Sequence, residues 1–406
     1  MNGAARARAE WVEKVVRERC FTAPAANTLT IGAELELLAF DASTHAIAPI
    51  FPGRDGRGSI DVARDVGRRL SWRETISDKG VPRFASDAGG SLTFEPGGQL
   101  EYASAVHGSV DGVLRELCIV ESRLRESAEM RGISLLAVGV DPFNGPDAAP
   151  LQLTADRYER MARYFAGSGP DGARMMRQTA SLQVNIGGVP PLERWAVANA
   201  IAPWVVALFA NSSRYADAET RCASYRAETW RGVDPSRTGV FRGRDPVREY
   251  TSFALGARAF LVDDAAPPFA GLDAAFATEP ALATHLTTLF PEVRPRGYLE
   301  LRSLDALDDS GRRGAMAFMA GIVADAQAAV EALELLGESD ASLLLIAGRD
   351  GMAADAIAAK SAGLVEIALG GCRRLGADIV SEETVSQLST CVAVASGNAL
   401  RTTSAH

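Results

Sequence analysis

Ile31-Gly-Ala-Glu-Leu-Glu-Leu37 alternates grease and acid along an extended stretch. In a strand, successive side chains point to opposite faces. Ile31, Ala33, Leu35 and Leu37 therefore share one face, and Glu34 and Glu36 share the other. Three further segments repeat the pattern. In Gly98-Gln-Leu-Glu-Tyr102, Gln99 and Glu101 oppose Leu100 and Tyr102. In Ser181-Leu-Gln-Val-Asn-Ile186, Gln183 and Asn185 oppose Leu182, Val184 and Ile186. In Tyr298-Leu-Glu-Leu-Arg302, Glu300 and Arg302 oppose Leu299 and Leu301. Thr93 and Glu95 share a face just before the turn Pro96-Gly-Gly98.

Any one of these segments reads equally as a half-buried strand whose polar side meets water. The set is harder to explain that way, because Glu and Asn are depleted in strands and none of the four segments contains a lysine. Carboxylates gathered on one face repel and raise one another's pKa. A bound cation removes that cost. Oxygen donors without histidine suit Mg²⁺ or Mn²⁺, which bind carboxylates together with substrate phosphates. The fold class expected is α+β: an antiparallel sheet with an acid-lined concave face that holds Mg²⁺–ATP, flanked by helices.

Composition narrows the alternatives. The net charge of −9 argues against nucleic acid as a partner. Five widely spaced cysteines form no CxxC pair and read as reduced thiols, and four histidines form no HxH or HExxH pattern. Zinc chemistry loses its support. No GxxxxGK[ST] loop occurs, so a P-loop site is excluded. Three lysines stand against 39 arginines, so an anionic substrate must be held by arginine forks. The charged N-terminus lacks a signal-peptide core, and the longest apolar run, Ile201 to Ala210, is broken by Pro203. These features predict a cytoplasmic protein that crosses no membrane.

Helices are predicted at Glu10–Cys20, Val110–Arg131, Thr154–Phe165 (Thr154 as N-cap) and Leu192–Ser212. Residues 41–86 read as turns and short elements, and 214–275 as loops. Three helices are expected near 312–337, 353–375 and 382–398. The economical reading is one domain over 1–406 with a helical C-terminal part from about 308.

Arginines gather around the acidic strands. Arg177 leads into the Gln183 strand. Arg226, Arg231 and Arg237 lie close to Tyr225 and Trp230 in one loop-like stretch. Forks that grip carboxylates and aromatic walls together suit a small amino-acid pocket. Arg294 and Arg296 precede Glu300 and Arg302; Glu300 is placed to bind a metal and Arg302 to neutralise a transferring phosphoryl group. Each of these also reads as a solvated or ion-paired residue. His285 reads as a packing histidine.

Gly32-Ala-Glu-Leu-Glu36, Pro96-Gly-Gly-Gln-Leu-Glu101, Thr179-Ala-Ser-Leu-Gln-Val-Asn185, Ser224-Tyr-Arg226 with Trp230, and Pro295-Arg-Gly-Tyr-Leu-Glu-Leu-Arg302 occur in that order. Together the set resembles the plant-type glutamate–cysteine ligases, over roughly residues 28 to 306. The stretch Leu286–Arg302 is most similar to the actinobacterial members that serve ergothioneine biosynthesis. The resemblance implies a funnel-like sheet related to that of glutamine synthetase. It also implies ATP, Mg²⁺, L-glutamate and L-cysteine as ligands and γ-glutamylcysteine as product, made for ergothioneine or glutathione synthesis. By motif position Glu34, Glu36, Glu101 and Glu300 would hold metal, with Glu95 and Asn185 beside them. Arg302 would meet the γ-phosphate and Arg226 an amino-acid carboxylate. Arg177, Gln183, Tyr225, Trp230 and Arg237 are the further substrate candidates, and Arg296 joins Arg302 at the nucleotide. Gly187 and Gly188 stand where many plant-type members carry an acid. The rival readings are a ligase joining another amino acid or amine, and a non-catalytic nucleotide- or amino-acid-binding protein.

Overall fold

In the computed structural model, which describes residues 3–22, 28–53, 56–77 and 81–391, the alternating segments become strands of one sheet. Its strands are β1 (Thr30–Asp41), β2 (Arg73–Ile76), β3 (Pro82–Ala85), β4 (Ser91–Phe94), β5 (Leu100–Ala103), β6 (Ile133–Leu136), β7 (Ser181–Gly187), β8 (Val293–Pro295) and β9 (Leu299–Asp305). They run in the order β8-β9-β7-β1-β5-β4-β3-β2, with β6 on the C-terminal end of β1, and every pairing is antiparallel. The apolar row is sealed: Ala33, Leu35, Leu37, Leu182, Val184, Leu299 and Leu301 are all buried. Each such leucine contributes about 2 kcal/mol of burial. Helices Val110–Glu129, Pro191–Leu208 and Asp309–Val323 pack against β1, β6, β7 and β9. The expected α+β class is what forms.

Several expectations need correction. Residues 41–86 contain a true helix, Ser59–Arg69, and the β2–β3 hairpin. Ile60, Ala63 and Val66 bury one helical stripe there, and Gly67 leaves room for Phe84, 3.1 Å from where a Cβ would sit. The stretch 214–275 holds helices Tyr225–Val233 and Pro246–Gly256, capped by Ser224 and Asp245. Thr154 is not an N-cap; the helix begins at Asp156, one residue past an uncapped Ala155. The helix expected over 312–337 is two, Asp309–Val323 and Ala326–Leu336, bent by 93° where Asp325 caps the second. An additional helix, Ala341–Asp350, precedes Asp355–Leu375. The last helix is described from 382 to 391; the remainder of its expected span lies outside the described residues. Among the described residues no single helix is long and apolar enough to cross a membrane; the bent pair meets that length and composition, and its first member is largely buried.

All five cysteines are free, and burial pushes the Cys20 and Cys372 thiols up to about 11 and about 12. His285 is buried, with Nε2 2.8 Å from the Ala254 carbonyl and its ring stacked on Phe269. Burial lowers its pKa to about 4 against the hydrogen bond, with Arg237 adding a smaller push downward. The unfolded chain therefore binds the extra proton. Stability from this site is full above the unfolded pKa near 6.5 and is lost as pH falls toward 4. That loss should reach about 3 kcal/mol at pH 4. His285→Gln should flatten the acid limb of a Tm-against-pH curve; an unchanged slope would contradict the assignment.

Candidate active site

Strand register brings the polar residues onto one face. Glu36 pairs with Glu101 across β1–β5, and Thr93 with Glu101 across β4–β5. Glu34 pairs with Gln183 across β1–β7, and Asn185 with Glu300 across β7–β9. Arg294 lies opposite Glu300 on the edge strand β8. Glu95 continues the β4 face just past its last paired residue, where its N–H meets the Gln99 carbonyl.

The face divides by charge. On the β8–β9 side Arg294 grips Glu300 with Nε at 2.7 Å and Nη2 at 2.6 Å. Arg302 Nη1 donates to the same carboxylate at 2.6 Å and also to Gln183 Oε1. Arg296 lies 3.6 Å from its other oxygen. Burial pushes the Glu300 carboxyl up, but Arg294, Arg302 and Arg296 outweigh it and hold it at about 2. On the β1–β5 side such compensation is weaker. Burial first, then the charges of Glu101 and Glu300, raise Glu34 to about 7, with Arg302 and Arg294 opposing. Burial also raises Glu36, against Arg226 and the Ser181 hydrogen bonds. Both keep a sliver of solvent contact at the bottom of a crowded polar floor.

A narrow cleft opens beside this floor, lined by Arg226, Trp230, Phe290, Glu292 and Arg302. Arg226 is buried, donates Nη2 to the Arg302 carbonyl at 3.1 Å and lies 5.8 Å from the Trp230 ring centre. The Trp230 indole N–H is buried without a hydrogen-bond partner.

The donor set suits a hard divalent cation in chemistry. Asn185 turns its amide nitrogen toward Glu34 at 3.5 Å, and its Oδ1 is buried with no partner. Among the described residues no three of His, Cys, Asp and Glu stand close enough to cage an ion by themselves. Mg²⁺ characteristically takes one or two carboxylates and completes its shell with water and substrate phosphates. Glu34, Glu101 and Asn185 Oδ1 are oxygen donors of that kind on one face of three adjacent strands.

Residues 30–370 match the model of glutamate–cysteine ligase family 2. The chain belongs to that family. Among curated relatives, glutamate–cysteine ligase EgtA of Mycolicibacterium smegmatis is 34% identical over 300 residues, covering 66% of this chain and 67% of the relative. EgtA of Mycobacterium tuberculosis is 33% identical over 60% of this chain and 62% of its own length. The chloroplastic glutamate–cysteine ligase of Medicago truncatula is 28% identical over 60% of this chain and 52% of its own. The alignments thus span between half and two thirds of these relatives. A solved glutamate–cysteine ligase of Francisella tularensis, in complex with AMP, superposes with a TM-score of 0.51 at 9% identity, covering 92% of this chain and 82% of that one. This similarity establishes a shared fold.

Within this family 2 chain, several residues singled out from sequence are held by protein partners. Arg237 is not in the cleft. It is fully buried, its fork engaged by Asp234 and by the Thr288 and Arg258 carbonyls, with Tyr164, Phe165 and Phe260 packed around it. Tyr225 is taken up by Tyr215 and by Arg174, whose guanidinium lies 4.9 Å from its ring. Glu300 and Glu36 have their oxygens engaged: Glu300 by arginines, Glu36 by the Ser181 N–H at 2.8 Å, its hydroxyl at 3.0 Å and Gln183 Nε2 at 3.2 Å. Arg177 donates to the Ala149 carbonyl at 3.0 Å while its backbone packs on Gly97, where a Cβ would lie 2.1 Å from the Arg177 oxygen. Sequence reasoning misses Arg294 as the partner of Glu300. A signal is present: Gly297 sits at φ 76°, in the turn that sets 294 opposite 300.

Proposed function

We propose that this family 2 chain joins the γ-carboxylate of L-glutamate to the amino group of L-cysteine at the expense of ATP, giving γ-glutamylcysteine for low-molecular-weight thiol synthesis. The observation that carries the reading is the register that sets Glu34, Glu101, Gln183, Asn185, Glu300 and Arg294 on one sheet face, with Arg302 bonded to Glu300 and Gln183 there. The names of the curated relatives, and the AMP bound to the Francisella enzyme, are in keeping with it.

A carboxylate is a poor acyl donor, so its oxygen first attacks the γ-phosphorus of ATP and ADP leaves. The cysteine amine then attacks the acyl phosphate carbon; phosphate departs and the amine loses a proton. Both steps develop charge on phosphoryl oxygens. Arg302, pre-set by Glu300 and Gln183, would meet that charge without reorganising, and the more exposed Arg296 would add to it. Arg226 beside Trp230 would take an amino-acid carboxylate as a fork. Glu34, Glu101 and Asn185 would hold a divalent cation, which supplies charge neutralisation between the carboxylate and the triphosphate.

We read the chain as one ligase unit acting in the cytoplasm; the single unit is supported by one hydrophobic cluster that joins Val12, the sheet and Leu388. The purified protein with ATP, Mg²⁺, glutamate and cysteine should release ADP and γ-glutamylcysteine in equal amounts. ADP release with a different amine and none with cysteine would replace the substrate assignment.

A further inference from the structure

Asp305 ends β9 and pairs with Ser181 on the polar face, yet it is 2% exposed and cannot reach a substrate. Its carboxylate is the hub of a closed network. Oδ2 accepts the Asn211 N–H at 2.7 Å and the Ser212 hydroxyl at 2.7 Å, and Oδ1 accepts the Ser224 hydroxyl at 2.9 Å. Ser212 Oγ in turn accepts the Arg226 N–H at 3.2 Å. Ser224 Oγ caps helix Tyr225–Val233 by accepting the Ala227 N–H at 3.1 Å. The carboxylate is also walled by Gly139, where a Cβ would lie 2.4 Å from the Asp305 carboxyl carbon.

Both hydroxyl partners of Asp305 thus lead to the first turn of the helix that carries Arg226 and Trp230. A buried carboxylate is costly unless fully hydrogen-bonded. Burial does push the Asp305 carboxyl up, and Arg226 is the charge that most opposes the shift. The acid and the arginine are therefore bound together both through hydrogen bonds and through the field between them.

We propose that Asp305 is a positioning residue: it pins the N-terminal turn of helix Tyr225–Val233 to the sheet and so sets where the Arg226 fork stands over the polar floor. The inference rests on the reading of Arg226 as the group that holds an amino-acid carboxylate. A displaced fork loses its bidentate geometry, so the cost falls on amino-acid binding rather than on the nucleotide.

The test compares Asp305→Ala, Ser224→Ala, Arg226→Ala and the double variant Asp305→Ala/Arg226→Ala in full steady-state kinetics. Asp305→Ala should raise KM for one amino acid about tenfold or more, with KM for ATP within about twofold and a smaller change in kcat. Ser224→Ala should move the same KM in the same direction by less. The double variant should be no worse than Arg226→Ala alone, because the fork is already gone. Equal loss of kcat for all substrates with unchanged KM values, or additive effects in the double variant, would overturn the proposal. If Asp305→Ala does not fold, an unchanged KM in a folded Ser224→Ala would overturn it. If Arg226→Ala leaves both amino-acid KM values unchanged, the reading of Arg226 fails instead, which separates the two.

Discussion

Arg302→Lys is expected to lower kcat for ADP release by about 10²- to 10³-fold, the range seen when one preorganised donor at a developing oxyanion is removed. The arginine ties two groups together: Nη1 reaches both Glu300 and Gln183, and the fork stands on the polar floor. Lysine carries the same charge but a single compact ammonium, which cannot hold both oxygens and still present a flat edge to a phosphoryl group. Glu300 keeps both prongs of Arg294 in the variant, so the fold should survive. The loss should appear in kcat with little change in KM for cysteine. A variant within about fivefold of the parent would remove Arg302 from the chemistry.

Glu34→Gln should raise stability while lowering activity. The folded pKa of about 7 stands above the ordinary carboxyl value of 4.5. The folded protein therefore binds the proton more tightly than the unfolded chain. Ionised Glu34 costs stability progressively as pH rises from about 4.5 to 7, and the cost is complete above 7. Glutamine has the same shape and no charge. At pH 8 the variant should be more stable than the parent by about 1–3 kcal/mol, discounted for the solvent Glu34 still touches, and the difference should vanish below about pH 4. Its ligase rate should fall about 100-fold or more, because a neutral amide is a weak partner for a divalent ion. A Glu34→Gln protein less stable than the parent at pH 8 would show that Glu34 already has a compensating charge.

Much of the floor is legible because strand parity is local. The period of two alone assigns Glu34, Glu36, Glu101, Gln183, Asn185 and Glu300 to polar faces, and register then joins the strands. What parity cannot foresee is a bulge. Between Leu301 and Leu304 the register slips, so Arg302 and Ser303 together stand where β7 offers Gln183 alone, and Asp305 rejoins the face of Glu300 against its sequence parity. Arg237 fails for a different reason. Its neighbours in sequence suggest a pocket, but the aromatic residues that bury it, Tyr164, Phe165 and Phe260, come from distant segments. The helix Ser59–Arg69 is obscured by Gly67 and by its charged residues, although Ile60, Ala63 and Val66 keep helical spacing.

The role of the acidic floor is tested most directly by calorimetric titration of the purified protein with ATP, with and without Mg²⁺, alongside Glu34→Gln and Glu101→Gln. Tight binding should require Mg²⁺ in the parent and weaken at least about tenfold in both variants. Binding that is indifferent to Mg²⁺ and unchanged by either substitution would mean that these carboxylates hold neither cation nor nucleotide.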